Sequence, residues 1–215
     1  MPLAPLRLLL GLTALSFCLV ACGPTNRDDD DDDDDDDSAS DDDDDDATPE
    51  FSMSSPDFID DSEINHNYDC DQALPVEFSC YGSNPEIVWE DAPEGTVAFS
   101  LVFDDPTAGN FPHWAIFNIP DTATGLDAGI SGNGVVNTPP GGAIELTNGF
   151  GFPGYLGSCP GGINHYRWRL WALSEVLNLD SNANFGAVAA ESEAHSLDFV
   201  TMCHVFNGAD VPVGR

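Results

Sequence analysis

Apolar residues recur along the middle of the chain with the spacing of β-strands. In residues 97–103 every second side chain is a large apolar one, namely Val97, Phe99, Leu101 and Phe103. This period of two is typical of a strand with one face in the core. Residues 113–119 are almost continuously apolar, as expected of a strand covered on both faces. Residues 166–170 alternate buried-type side chains with two arginines, which predicts one wet or salt-bridged face.

Only one segment has helical periodicity. It extends from residue 185 to about residue 202, and its apolar or small side chains recur at Ala190, Ala194, Leu197 and Thr201. Clusters of Pro, Gly, Asn and Asp separate the other runs. The chain is therefore predicted to be mainly β, a β-sandwich of two sheets with a small C-terminal helical addition, in one domain over residues 51–215.

The N-terminus is predicted to be a targeting segment. Residues 8–20 form an apolar run of about 13 residues, shorter than the roughly 20 that cross a bilayer. The run ends in Ala21-Cys22-Gly23, which resembles a bacterial lipoprotein box. The resemblance implies that residues 1–21 are a signal peptide and that Cys22 carries lipid. Gly23 after the cysteine indicates the outer membrane by analogy, and an ordinary secreted protein is the alternative.

Residues 22–50 are predicted to be a disordered linker behind the lipidated cysteine. Of 39 acidic residues, sixteen lie in two aspartate tracts, 28–37 and 41–46, whereas the chain has five basic residues and a formal charge of −34. Like charges at every position repel one another and keep such a tract extended. Calcium binding is the less favoured alternative. This charge excludes nucleic acid as a partner, since phosphate backbones need Lys and Arg.

The remaining cysteines are expected to form two disulfides, because an exported protein folds in an oxidising compartment. They are Cys70, Cys80, Cys159 and Cys203, which allow three pairings that the sequence does not distinguish. The chain has no Cys-x-x-Cys, so no metal site is expected.

Two stretches combine loop-forming and chemically active residues. In residues 104–120, Pro106 restricts Asp105 to an extended conformation, and His113 heads a buried strand. A nearby carboxylate raises the pKa of a histidine, so we expect a partly cationic His113 that favours an anionic ligand. A structural Asp–His pair is the alternative. Residues 154–168 contain a glycine-rich loop that could cradle an anion or simply connect a hairpin.

Together these stretches resemble the phosphatidylethanolamine-binding protein family, in its bacterial Raf-kinase-inhibitor-like branch. The matching motifs are Cys-Tyr-Gly-Ser-Asn-Pro at 80–85, Asp105-Pro106, His113-Trp114, the segment from Gly154 to Tyr166, and His195-Ser196-Leu197. The resemblance implies a β-sandwich with a small pocket for phosphate-like headgroups. By position its ligand-binding residues would be Asp105, Phe111, His113, Pro160, Asn164, Tyr166 and Phe206.

The chain departs from the family pattern at several of these positions. Thr107 replaces a second aspartate, Gly109 and Gly161 replace prolines, and Asn164 replaces a second histidine. A shifted register would instead place His165 in the pocket and displace Tyr166.

The favoured function is a non-catalytic lipoprotein that binds a small anion or a phospholipid headgroup, without a cofactor or metal. It would be held in the bacterial cell envelope by its lipid anchor, facing the periplasm or the exterior. The alternative is a protein-interaction or inhibitor module that modulates a protease or kinase through an envelope partner. A hydrolase built on an Asp–His pair is disfavoured because the chain has no Gly-x-Ser-x-Gly. Glu191, Glu193 and His195 are expected to form a solvated helix face.

Overall fold

The computed structural model describes residues 49–60, 72–132 and 135–210. These residues belong to one compact unit, which spans Asp46–Arg215. The expected signal peptide, Cys22, both aspartate tracts and Cys70 lie outside the described residues. Within the part of the chain that is described, no helix is both long and apolar enough to cross a membrane.

The larger of two β-sheets has seven strands in the order β2-β3-β10-β9-β5-β6-β8. Its neighbours pair antiparallel except for β10 with β3, which are parallel. The strands are β2 (Ile59–Asp60), β3 (Gln72–Ala73), β5 (Ala98–Asp105), β6 (Phe111–Pro120), β8 (Ile144–Glu145), β9 (Ile163–Leu173) and β10 (Ser196–Asn207).

The smaller sheet has three antiparallel strands in the order β1-β4-β7. They are β1 (Ser52–Ser54), β4 (Ile87–Glu90) and β7 (Gly125–Leu126). The two sheets with one helix confirm the predicted mainly β sandwich.

The large sheet is buried on both faces. One face contributes Phe99, Leu101, Phe103 and Trp168 to the main core, which also contains Trp89 of the small sheet. The other face packs with Val102, Phe117 and Trp171 against Val188 of the helix α1 (Phe185–Ala194). Residues 113–119 are buried apart from one half-buried asparagine, as the continuous apolar run predicted. Val97 is an exception, since it precedes β5 and is 45% exposed.

The expectation of a helix as far as residue 202 is wrong beyond Ala194. The helix begins after Asn184, whose side chain accepts a hydrogen bond from the Ala187 N–H at 2.9 Å. Residues 196–207 instead form β10, which pairs along the whole of β9. Within β10, Val200, Met202 and Phe206 pack on the main core, whereas Leu197 and Phe199 are exposed. The core-facing residues of β10 recur with a period of two, and the backbone of β9 needs hydrogen-bond partners. Together these outweigh the helical preference that the four spaced residues indicated.

The two arginines of β9 confirm its predicted salt-bridged face. Arg167 donates to Asp104 from Nε at 3.0 Å and from Nη2 at 2.8 Å, and Arg169 donates from Nη2 to the same carboxylate at 2.8 Å. Asp104 is buried and each arginine is partly exposed. Below we call these three residues the Asp104 clamp.

The predicted solvated helix face is observed for Glu191 and Glu193, which are both exposed, and His195 is half-buried. His195 ends the helix and lies 2.7 Å from Glu175, and the Glu193 carboxylate accepts a hydrogen bond from the Trp171 indole at 3.1 Å.

Candidate functional site

A small pocket lies where β5 ends and where β6 and β9 begin. Its volume is about 180 Å³. It is lined by Asp105, Ala108, Phe111, His113, Phe150, Leu156, Gly157, Cys159, Pro160, Asn164 and Tyr166. The two stretches singled out in the sequence therefore meet in one cavity, and six of the seven expected ligand-binding residues line it.

Asp105 is held at the pocket by the turn that follows β5. Its Oδ1 accepts a hydrogen bond from the Ala108 N–H at 3.0 Å, and its Oδ2 accepts one from the Asn164 amide at 2.6 Å. Pro106 opens this 3-10 turn, and Gly109 closes it with φ at +71°, a conformation that favours glycine over the proline of the family motif. Asp105 is buried and carries the only formal charge among the described residues that line the pocket.

One departure from the family motif, Thr107, ties the turn to β9. Thr107 accepts a hydrogen bond from the His165 N–H at 2.9 Å through its hydroxyl. The ladders of β9 with β5 and β10 set the register in which Asn164 and Tyr166 face the pocket. The alternative register, with His165 in place of Tyr166, is not the one observed.

The expectation that His113 is partly cationic is wrong. The buried ring lies against Phe103, Phe111 and Tyr166, with centroids 4.9, 5.3 and 5.3 Å away. Burial lowers the pKa of His113 below its usual 6.5, and this outweighs the Leu156 carbonyl and the nearby Asp105, which raise it. A neutral ring whose Nδ1–H donates to the Leu156 carbonyl at 2.9 Å has a lone pair on Nε2. His113 is therefore an acceptor at neutral pH, rather than a cation.

Tyr166 is the hydroxyl-bearing residue of the pocket. Burial raises its pKa, as does the negative charge of Asp105, while hydrogen bonds with the Ser158 side chain and the Cys159 backbone lower it by less. The group therefore stays a neutral phenol over the physiological range.

Behind Tyr166, a buried polar chain extends into the core. The Ser158 hydroxyl lies 2.8 Å from His204 Nε2, and the Trp168 indole N–H donates to His204 Nδ1 at 3.0 Å. The ring of Tyr166 stacks on His204, with centroids 4.9 Å apart. Sequence reasoning missed Ser158 and His204. The pattern that could have indicated them is a single polar residue within each of two segments that are otherwise buried.

Phe206 is the expected ligand-binding residue that does not line the pocket. It faces the main core with Met202, because the alternation of β10 turns both side chains between the sheets. The exposed aromatic residue at the pocket is instead Phe150, which meets Phe111 edge-on at 5.3 Å. Phe150 lies in a loop without periodicity, so no sequence signal marked it.

A disulfide between Cys80 and Cys159 closes one wall of the pocket. Backbone hydrogen bonds on either side of it, from Cys80 N–H to the Ser158 carbonyl and from Gly157 N–H to the Cys80 carbonyl, are both 2.9 Å long. Of the three possible arrangements of two disulfides among four cysteines, only one contains the Cys80–Cys159 bond. Cys203 is also disulfide-bonded.

A larger cleft of about 830 Å³ adjoins the pocket and shares Leu156 and the disulfide region with it. Its lining includes the apolar and aromatic side chains Tyr81, Val135 and Phe152. The arginines of the Asp104 clamp line a separate cleft beside α1. No cationic side chain of the described residues therefore lines the small pocket.

Comparison with known proteins gives a consistent result. The family model for phosphatidylethanolamine-binding protein matches residues 54–206. A UPF0098 protein of Methanothermobacter thermautotrophicus is 36% identical over 129 residues, which cover 58% of this chain and 83% of the relative. The candidate lipoprotein LppC of Mycobacterium tuberculosis is 34% identical over 157 residues, which cover 70% of this chain and 68% of the relative.

Solved structures share the fold. The crystal structure of Escherichia coli YbcL, described as a new member of the mammalian PEBP family, superposes with a TM-score of 0.62 at 26% identity. The match covers 74% of this chain and 98% of YbcL. The homologue CT736 of Chlamydia trachomatis gives a TM-score of 0.58 at 19% identity, over 73% of this chain and 96% of that one.

Proposed function

The chain belongs to the phosphatidylethanolamine-binding protein family, and from this premise we propose that its small pocket binds a zwitterionic phosphate headgroup without transforming it. The observation that carries the proposal is the charge of the lining. A buried carboxylate, a neutral imidazole and a phenol surround the cavity, and no described cation lines it.

This lining suits a ligand that carries both a positive and a negative charge. A phosphate dianion would face the Asp105 carboxylate at short range in a poorly screened cavity, where repulsion is several times stronger than in water. A phosphodiester with an ammonium group has no net charge. Its ammonium can donate to Asp105, whose two oxygens keep lone pairs free after the bonds to Ala108 and Asn164. Its phosphate can accept from Tyr166.

The volume supports a headgroup and not a whole lipid. About 180 Å³ is below the roughly 300–1,000 Å³ of pockets that enclose drug-sized ligands. The acyl chains of a lipid would have to leave through the mouth beside Phe150. The exposed aromatic ring there supplies apolar contact for the part of the ligand next to the headgroup.

A binding role fits the hydrogen bonds of His113 better than a hydrolytic one. The His113 Nδ1 donates to a backbone carbonyl, whereas the Asp105 oxygens accept from Ala108 and Asn164. An Asp–His pair that works as a general base needs the carboxylate to orient the ring. In the described residues the two side chains have other partners.

The proposal is tested by calorimetric titration with three probes: glycerophosphoethanolamine, glycerol 3-phosphate and ethanolamine. At pH 8 we expect glycerophosphoethanolamine to bind about tenfold more tightly than either fragment-like probe, since a hydrogen bond to a charged group contributes about 1.5–3 kcal/mol. Asp105→Asn should weaken glycerophosphoethanolamine and strengthen the glycerol phosphate dianion, because it removes the repelling charge. Tyr166→Phe should weaken both phosphates by about tenfold.

Tyr81→Phe is the matched control for Tyr166→Phe. Tyr81 is 64% exposed in the larger cleft, so its hydroxyl should not affect either titration. If folded wild-type protein binds none of the three probes, the headgroup proposal fails, and the protein-interaction role is favoured instead. If Asp105→Asn leaves the preference between the probes unchanged, the charge argument fails.

We also propose that the protein is anchored in the cell envelope through lipid on Cys22. The lipoprotein-like segment around Cys22 supports this, together with the similarity to LppC. Several acyl chains hold a protein firmly, at about 0.8 kcal/mol for each buried CH₂. In the sequence, the acidic tracts follow the proposed anchor and precede the folded domain, whichever membrane holds the anchor.

Anchoring is checked by Triton X-114 partitioning of the full chain expressed in a bacterial host. The wild-type protein is expected in the detergent phase, and Cys22→Ser in the aqueous phase. Cys18→Ser, within the expected signal peptide, is the control and should still yield detergent-phase protein. Wild-type protein found wholly in the aqueous phase would contradict the anchor.

A further inference from the structure

Four side chains lie in line from the core to the pocket, and hydrogen bonds join the first three of them. Trp168 lies 3.0 Å from His204, and His204 lies 2.8 Å from Ser158. Ser158 in turn interacts with the Tyr166 hydroxyl. Trp168, His204 and Ser158 are all fully buried, so solvent cannot replace any of these partners. The first three residues do not line the pocket, and the proposed function above does not use them.

Only one direction of hydrogen bonding satisfies this chain. An indole N–H can only donate, so His204 Nδ1 must carry a lone pair. A neutral imidazole with a lone pair on Nδ1 has its proton on Nε2, and this proton points to the Ser158 oxygen. Burial lowers the pKa of His204 well below 6.5, so the doubly protonated ring does not compete.

The remaining protons follow from the need to pair buried polar groups. Ser158 accepts from His204, so its own hydroxyl proton needs an acceptor, and a buried hydroxyl without one is costly. The Tyr166 oxygen is the acceptor with which it interacts. The Cys159 backbone N–H also interacts with the Tyr166 oxygen, where it can only donate. A Tyr166 oxygen that accepts from these two groups points its own proton elsewhere, and the pocket is the space in front of it.

We propose that Trp168, His204 and Ser158 are positioning residues that fix the Tyr166 hydroxyl as a hydrogen-bond donor to the ligand. The inference rests on the proposed function, because it names the groups that set the specificity of that pocket. Trp168 starts the chain, and the stacking of Tyr166 on His204 holds the phenol ring in place. The pocket then requires a ligand oxygen with a free lone pair at Tyr166 and a donor at Asp105 or His113.

The same polarity separates this pair from a catalytic Ser–His dyad. A nucleophilic serine donates a hydrogen bond to a histidine lone pair, whereas Ser158 accepts one from the Nε2–H of the His204 tautomer that the Trp168 N–H requires. Ser158 is also fully buried, so no substrate could reach its oxygen. The pair is arranged to direct a hydrogen bond and not to transfer a group.

The first test is direct observation of the His204 tautomer by ¹⁵N NMR of histidine-labelled wild-type protein. We expect a protonated Nε2 and an unprotonated Nδ1 at pH 7.5. An Nδ1-protonated ring would reverse the chain and overturn the proposal, whatever the result of any binding experiment.

The second test uses glycerophosphoethanolamine affinity in a double-mutant cycle. Trp168→Phe removes the indole N–H and should weaken binding by about threefold to tenfold, because the Tyr166 proton is no longer fixed. In a Tyr166→Phe background the same substitution should have no further effect. Trp171→Phe is the matched control, since Trp171 is equally buried on the same strand but donates to Glu193 on the opposite face of the sheet.

The outcomes separate this inference from the proposed function. If Tyr166→Phe weakens binding and Trp168→Phe acts equally in both backgrounds, Trp168 acts through packing, and the positioning role is overturned. If no variant or wild-type protein binds the probe, the proposed function fails, while the tautomer still decides the direction of the chain. Should Trp168→Phe fail to fold, Ser158→Ala replaces it in the cycle with the same expected result.

Discussion

Replacement of both Cys80 and Cys159 by alanine should lower the free energy of unfolding by about 4 kcal/mol. The bond joins residues separated by 79 positions, and restricting a loop of that length in the unfolded chain is worth about 4.5 kcal/mol in the chain-entropy model. Measured losses for native disulfides are about 2–5 kcal/mol, so the expected effect is a large share of the stability of one domain. Guanidinium unfolding of the full-length oxidised protein measures it.

The substitution should also affect the pocket. The bond and its two flanking backbone hydrogen bonds hold Gly157 to Cys159, which carry part of the lining and the backbone N–H near Tyr166. We expect glycerophosphoethanolamine binding to weaken even at temperatures where the variant remains folded. Cys80→Ser with Cys159→Ser is the polar counterpart and should give a similar loss. A change in unfolding free energy below about 1 kcal/mol would show that the wall is held without the bond.

Stability should fall as the pH drops below about 6.5, because His113 and His204 are buried in the neutral form. Burial lowers the pKa of each ring in the folded state, whereas the unfolded chain takes up protons near 6.5. Where the unfolded state binds more protons, stability rises with pH, so the loss occurs on the acid side. Each histidine contributes a slope of up to about 1.4 kcal/mol per pH unit, and the slope ends at its folded-state pKa.

Thermal or denaturant unfolding between pH 8 and 5.5 measures this slope. A flat profile above pH 7 and a decline below 6.5 are expected. His204→Gln keeps a donor and an acceptor but does not titrate, so its decline should be shallower by up to about 1.4 kcal/mol per pH unit. An unchanged slope in this variant would mean that His204 does not contribute to the acid sensitivity.

Periodicity predicted the central strands correctly because their burial is one-sided or complete along their whole length. The alternation in β9 is strict over residues 166–170, where each arginine has a buried neighbour on either side. The last strand was mistaken for a helix because its first half is mostly exposed. Residues 196–201 contain few core-facing apolar side chains, and the helical spacing of the short side chains of α1 continues into them. What forms a strand there is the unpaired edge of β9, a partner more than 20 residues away in the sequence.

The family motifs predicted most of the residues that line the pocket, but the sequence did not predict the protonation state of His113. The sequence shows that Asp105 and His113 are near each other, which suggests a cation. It does not show that aromatic rings surround the imidazole or that its Nδ1 bonds to the Leu156 carbonyl. The cost of burial depends on those neighbours, so the protonation state follows from packing. Ser158 and His204 were missed for the same reason, because their role depends on three contacts between distant segments.

The Asp104 clamp has a consequence for the behaviour of the protein in solution. Arg167 and Arg169 are the only arginines of the described residues, the chain contains no lysine, and both guanidinium groups are bound to one internal carboxylate. Little positive charge is left to attract the acidic surface of another copy, so neighbouring molecules repel one another at neutral pH. With a sequence pI near 4.1, this repulsion disappears in mild acid. Salt that screens charges over about 10 Å at 0.1 M weakens it as well. Concentrated molecules should therefore stay dispersed at neutral pH and cluster as the medium becomes acidic.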